Sequence, residues 1–186
     1  MTLDAALADA NEKMDKAVTV LKEELSGIRT GRATPALLQR IQVDYYGSMV
    51  PIQQLATFGV PEPRTLVVQP FDKGSIAAME KAIQQSDLGI TPSNDGAVIR
   101  LNFPPLTEER RKELIKVVHH RGEEGKVAVR NVRRHAKEEL ERLEREGSIS
   151  EDDLVRAEKE LQKLTDRHTA VIDEALAHKD RELKEI

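Results

Sequence analysis

Lys126, Arg130, Arg133, Arg134 and Lys137 are the residues whose types and spacing could do chemistry in this chain. A helix advances about 100° per residue, so these five cations fall within roughly a quarter of one helical wheel. The segment 125–137 that holds them contains no acidic residue, although the formal net charge of the chain is -4. A cationic stripe on an acidic protein implies placed contacts to a polyanion rather than general stickiness. Arginine outnumbers lysine in the stripe, which suits bidentate contacts to phosphate or to guanine edges. The competing reading is a merely solvated helix face. Two features weigh against it. No carboxylate is interleaved to form i,i+4 pairs within the stripe. Its centre also lies roughly 120° from the apolar face, too far for the side chains only to cover the core.

Other candidates are weaker. Arg29 and Arg32 flank Gly31, where they either offset a helix C-terminus beside a glycine terminator or add phosphate contacts. His119-His120 with Glu123 faintly suggests a metal site, but adjacent helical residues point about 100° apart and do not converge. No metal site, cofactor or catalytic constellation is expected: the chain carries no phosphate loop, no GxGxxG, no GxSxG and no HExxH. With no cysteine there is neither a disulfide, a thiolate metal site nor a thiol nucleophile. Aromatic residues make up only 3% of the chain and there is no Trp, so no platform for stacking unpaired bases is expected. Folded RNA, read by shape and backbone, fits that composition better. The N-terminus lacks the pattern of a signal peptide and no apolar run reaches membrane-spanning length, so a soluble cytoplasmic protein with no membrane contact is expected; it is also expected to be a monomer.

Three long helical periods must position the stripe. Leu7, Ala10, Met14, Val18, Leu21, Leu25 and Ile28 mark one helix over 2–29. Leu114, Val118, Val129, Val132, Ala136, Leu140 and Leu143 mark a second over 107–145, with Gly122 and Gly125 on the same face to permit close helix approach. Leu154, Ala157, Leu161, Leu164, His168, Val171 and Ala175 mark a third as a strict heptad. Glu146-Gly147 stops the second helix, and Ser150 with Asp153 starts the third as a variant capping box. The spacing predicts a long antiparallel three-helix bundle. Only 107–146 is net positive, with 12 basic against 10 acidic residues, while 147–186 carries 7 against 11.

Residues 30–106 differ. Segments 40–46, 49–52, 65–69 and 97–103 read as strands, Gly47-Ser48 as a turn and 75–86 as a short helix, punctuated by prolines. The expectation is an α+β fold. A discontinuous bundle domain, 1–29 and 107–186, carries an inserted small α/β, mostly β, domain at 30–106. The chain passes between them twice, at Thr30, Gly31, Arg32 and Ala33 and again at Phe103, Pro104, Pro105 and Leu106, making a two-stranded hinge.

Several short motifs, in order, carry a family resemblance: Arg29-Thr-Gly-Arg-Ala33 before Pro35, Asp44-Tyr-Tyr-Gly47, Ser86-Asp-Leu-Gly89 with Asn94-Asp-Gly96, Pro105-Leu-Thr-Glu-Glu-Arg-Arg111, and Val129-Arg-Asn-Val-Arg-Arg134. Together they resemble the bacterial ribosome recycling factors over essentially the whole chain. Thr34 and the His119-His120 pair depart from the family pattern without touching the stripe. The resemblance implies a non-enzymatic translation factor acting after peptide release. It implies binding to the large ribosomal subunit across the A and P sites, against ribosomal RNA. Elongation factor G, a GTPase, would then drive separation of the subunits, and initiation factor three would help keep them apart. It carries RNA contact onto Arg130, Arg133 and Arg134, and matches Arg29 and Arg32 to the family's other basic motif. Two other readings stay open, a helical adaptor that binds protein and a general RNA-annealing protein.

Overall fold

The computed structural model describes residues 1–28 and 30–185. The fold is α+β, with helices α1 (Leu3–Ser26), α2 (Ile76–Gln84), α3 (Glu108–Arg145) and α4 (Glu151–Lys184). The strands are β1 (Gln42–Tyr45), β2 (Ser48–Pro51), β3 (Ala56–Glu62), β4 (Thr65–Pro70), β5 (Ser93–Asn94) and β6 (Ile99–Asn102). The chain divides into two compact units, 1–25 with 113–185, and 26–112.

In the first unit α1, α3 and α4 pack around aliphatic residues, with Met14, Val118, Val129, Leu140 and Ile172 fully buried. Side chains pair α3 with α4 in opposite directions: His119 meets Asp180, Lys126 meets Asp173 and Arg133 meets Gln162. The two glycines on the buried face of α3 have different neighbours. A Cβ on Gly122 would lie 2.6 Å from Leu176 Cδ2 of α4, and one on Gly125 would lie 3.0 Å from Leu21 Cδ2 of α1. Both therefore admit a leucine of a neighbouring helix into space that any side chain would occupy.

The strict heptad expected for α4 is not what the bundle buries. Leu154, Leu164, Val171 and Ala175 are only half-buried. The buried set is Ala157, Leu161, Thr165, His168, Ile172, Leu176, Lys179 and Leu183. These fall on an eleven-residue spacing (Ala157, His168, Lys179; Leu161, Ile172, Leu183). Leu114 and Gly125 of α3, and Ala10 and Leu21 of α1, are buried at the same interval. Eleven residues in three turns is close to the relaxed helix, whereas a heptad seam demands a left-handed supercoil. The polar members of the stripe are accommodated individually. Thr165 Oγ1 donates to Leu161 O at 2.9 Å. The His168 ring spans from Leu164 O to Asp15 of α1, both at 2.6 Å. Lys179 reaches Glu182 at 3.3 Å with its stem buried.

Helix ends follow local chemistry. Thr107 Oγ1 accepts from Arg110 N at 3.1 Å and starts α3. Gly147, at φ +76, closes it: Ser148 N donates to Leu143 O and Gly147 N to Glu144 O, each at 2.9 Å. These are the two hydrogen bonds of a Schellman terminator. Ser150 and Asp153 then form a reciprocal capping box for α4. Helix α1 ends at Ser26, short of the expected 29.

The second unit holds a β1–β2 hairpin and a four-stranded antiparallel sheet in the order β3-β4-β6-β5. Strands β4 and β6 alternate, burying Leu66, Val68, Ile99 and Leu101 with Ile52, Met79 and Ile83. The β1–β2 turn is Tyr46-Gly47, one residue earlier than expected, with both residues at positive φ (49° and 88°). A two-residue turn of that hand matches the twist of the flanking strands. Strand β3 was not expected from the sequence. It is an edge strand carrying Gly59 and Pro61, with its pairing register shifted between Gly59 and Glu62. Proline and a bulge are tolerated at such an edge but hide it from pattern reading.

Candidate RNA-binding face

The basic stripe lies on α3, a helix about 57 Å long at 1.5 Å per residue. Arg130, Arg134 and Lys137 are exposed, while Lys126 and Arg133 are half-buried. The five cations are not equivalent. At one end, Lys126 Nζ sits 2.6 Å from Asp173 of α4 and 3.9 Å from Glu123. At the other, Lys137 reaches Glu141 at 3.9 Å. Acids just outside the stripe, or on the facing helix, thus partner its ends, which the count of acids within 125–137 did not reveal. Among the described residues, Arg130, Arg133 and Arg134 make no ion pair. The open positive charge is concentrated in these three arginines.

Arg133 is held by a different kind of partner. Its Nη1 donates to Gln162 Oε1 of α4 at 3.2 Å, and Gln162 Nε2 donates to Asp166 Oδ1 at 2.8 Å. Nothing in the sequence alone marks Gln162. The signal for it lay in the fold, because only antiparallel pairing of α3 and α4 brings it beside Arg133. Most other arginines with a partner on the bundle meet carboxylates, as Arg121 meets Glu124 and Arg142 meets Glu139.

The remaining candidates are placed elsewhere. Arg32 is exposed in the second unit, and Arg29 lies outside the described residues. Gly31 adopts φ +84, and a Cβ there would lie 3.4 Å from Leu106 Cγ. Ala33 and Phe103 are buried in the core of the second unit, where Ala33 N donates to Pro63 O at 2.7 Å and Phe103 N to Arg64 O at 2.8 Å. Thr30 is also buried, and Leu106 is half-buried. Pro104 and Pro105 are exposed. The histidine pair diverges, His119 turning to Asp180 at 2.9 Å and His120 to Glu124 at 3.0 Å. Among the described residues no group of three or more His, Cys, Asp or Glu could hold a metal. No described helix is long and apolar enough to cross a membrane.

A second polar cluster sits on the smaller unit. Asp72 accepts from Gly74 N at 2.9 Å, from Tyr46 OH at 3.0 Å and from Tyr45 OH at 3.2 Å. Donation by the Gly74 amide, then by the Tyr46 hydroxyl, holds the Asp72 carboxyl below its ordinary value. The hydrogen bonds to Asp72 in turn hold both tyrosine hydroxyls above theirs. Phe71 and Tyr46 are exposed beside it at 70% and 77%, unusual in a chain with only five aromatic residues.

An α+β protein of two units, with an open arginine cluster on a long bundle helix, is the class these features define. Comparison with known proteins makes it specific. The family model described as ribosome recycling factor matches residues 21–183. The ribosome-recycling factor of Acidothermus cellulolyticus is 53% identical over 99% of this chain and 100% of its own length. That of Mycobacterium tuberculosis is also 53% identical, with the same coverage. A solution structure of the ribosome recycling factor superposes with a TM-score of 0.83 at 46% identity, covering 99% of this chain and 98% of that one. A second match has a TM-score of 0.71 at 49% identity, covering 98% and 99%. It is a model of the T. thermophilus factor and E. coli elongation factor G bound to the E. coli post-termination complex. The chain belongs to the ribosome recycling factor family.

Proposed function

We propose that this protein disassembles post-termination ribosomes in the cytoplasm, binding the large subunit as a monomer across the A and P sites. Its α3 face meets ribosomal RNA, and elongation factor G with its GTP drives separation of the subunits. The observation that carries this reading is the cluster Arg130, Arg133 and Arg134, which among the described residues make no ion pair with a carboxylate. Guanidinium groups in this state present forked donors to phosphate oxygens without first having to break an ion pair. Lys126 and Lys137 flank the contact and contribute less, because each already has an acidic neighbour. Arg29 and Arg32 supply further phosphate contacts. The protein hydrolyses nothing itself; the nucleotide belongs to the GTPase.

Ala33 and Phe103 are fastened into the smaller unit by burial and backbone hydrogen bonds, and Thr30 is buried as well. We therefore keep the hinge pivot on the rest of the two connectors, Gly31 and Arg32 with Pro104, Pro105 and Leu106. Two adjacent short connectors allow one unit to swing while limiting twist. A Pro104→Gly/Pro105→Gly variant would loosen the second connector, sparing large-subunit binding while slowing subunit splitting.

The decisive assay is splitting of post-termination ribosomes by elongation factor G and GTP, with wild type against Arg133→Ala. Loss of splitting that higher protein concentration restores is the expected result. Full activity at limiting concentration would remove the RNA-contact reading. An adaptor would instead bind with little salt dependence, and an annealing protein would bind any RNA duplex equally well.

A further inference from the structure

The partners of the arginines on the bundle differ in charge. Arg121 and Arg142 are met by carboxylates, at 3.3 and 2.5 Å. Arg133 is met by an amide oxygen, Gln162 Oε1, at 3.2 Å. The carboxylate of Asp166 stands one step further back, accepting from Gln162 Nε2 at 2.8 Å. This fixes the amide: turned over, it would aim its NH2 at a guanidinium and its oxygen at a carboxylate. An amide oxygen orients a guanidinium through a hydrogen bond but does not cancel its charge. A carboxylate at the same place would form a charge-assisted pair that a phosphate must displace. The arrangement recurs where α1 meets α4, with Arg167 donating to Asn11 Oδ1 at 2.8 Å and Asn11 Nδ2 to Asp15 Oδ2 at 3.4 Å.

We propose that Gln162, backed by Asp166, is a positioning residue for RNA binding: it aims the Arg133 guanidinium outward from the α3–α4 seam while leaving its positive charge available. The proposal rests on the reading that Arg133 contacts phosphate. Side-chain entropy is the quantity at stake, since a free arginine must surrender its rotamers on binding and a strutted one has already done so.

Gln162→Glu and Gln162→Leu separate aiming from charge. Both lie at an exposed position, so the melting temperature should be unchanged, which thermal unfolding checks. Binding is read by co-sedimentation with isolated large ribosomal subunits over a range of salt. Gln162→Leu should bind about threefold more weakly, with the salt slope of wild type. Gln162→Glu should bind on the order of tenfold more weakly at low salt, with the slope reduced by about one, as for one lost phosphate contact. In the Arg133→Ala background, Gln162→Glu should add nothing. A further tenfold loss there would show that the new carboxylate acts by general repulsion and would overturn the proposal. Wild-type affinity and slope for Gln162→Glu, with Arg133→Ala impaired, would overturn the strut alone. Wild-type binding by Arg133→Ala would overturn the phosphate reading beneath it as well.

Discussion

The two units use their residues in opposite ways. The helical unit contains no aromatic residue: all five, Tyr45, Tyr46, Phe58, Phe71 and Phe103, lie in the unit spanning 26–112. The bundle core is aliphatic and repetitive, and its specificity comes from spacing and from two glycines that receive leucines. The smaller unit is built from short strands and turns in which individual residues decide. Tyr46 holds a positive φ, which costs a non-glycine residue energy, and Asp72 gathers three donors. A repetitive helix offers a continuous face on which charges can be placed at will. A small sheet unit offers a corner whose shape is set by a few contacts.

Gly122 has the tightest surroundings of the described glycines. Gly122→Val should destabilise the protein by about 3 kcal/mol through overpacking against Leu176. Gly125→Ala should stay within about 1 kcal/mol of wild type, because Leu21 need shift only slightly and alanine favours the helix. Chemical denaturation of both variants checks this, and equal losses would mean that the two glycines play one role.

Next in size is His168→Ala, at about 2–3 kcal/mol by the same measurement. It removes a buried ring and its links to Leu164 O and Asp15. A loss under about 0.5 kcal/mol would show that the bundle tolerates an empty polar layer.

Ser150→Ala should cost about 1 kcal/mol, from the lost capping box. Restoration of most of that by Ser150→Thr or Asn would tie the loss to the cap.

The smallest effect belongs to the other unit. Asp72 is held below its ordinary value, so its contribution to stability is fully present above the unfolded value of about 3.9 and fades as pH falls through the folded one. Tyr45 and Tyr46, held high, contribute below about pH 10 and fade as pH rises through their folded values. Tyr46→Phe should move the Asp72 titration upward in an NMR pH series. An unmoved titration would show that the Gly74 amide alone sets it.

How much of this the sequence discloses follows the same division. Helix existence, both ends of the α3–α4 turn and the close-approach glycines are visible because each depends on a period or a cap within a few residues. The buried face of α4 leaves the heptad at Leu164, which is half-buried where Thr165 is buried, and again where Ile172 is buried in place of Val171. A heptad and an eleven-residue repeat differ by too little over two turns to be told apart by spacing alone. Strand β3 was invisible because Gly59 and Pro61 break the alternation that its pairing partner restores. The stripe itself was legible, but its inequality was not: Asp173 and Gln162 are distant in sequence and reach it only across the helix seam.

The central claim is that Arg130, Arg133 and Arg134 of α3 hold ribosomal RNA. The direct test is the salt dependence of binding to large ribosomal subunits, for wild type against Arg130→Ala/Arg133→Ala/Arg134→Ala. If all three meet phosphate, the slope of log affinity against log salt should fall by about three and binding at moderate salt should collapse. An unchanged slope would contradict the account and return the stripe to a solvated helix face.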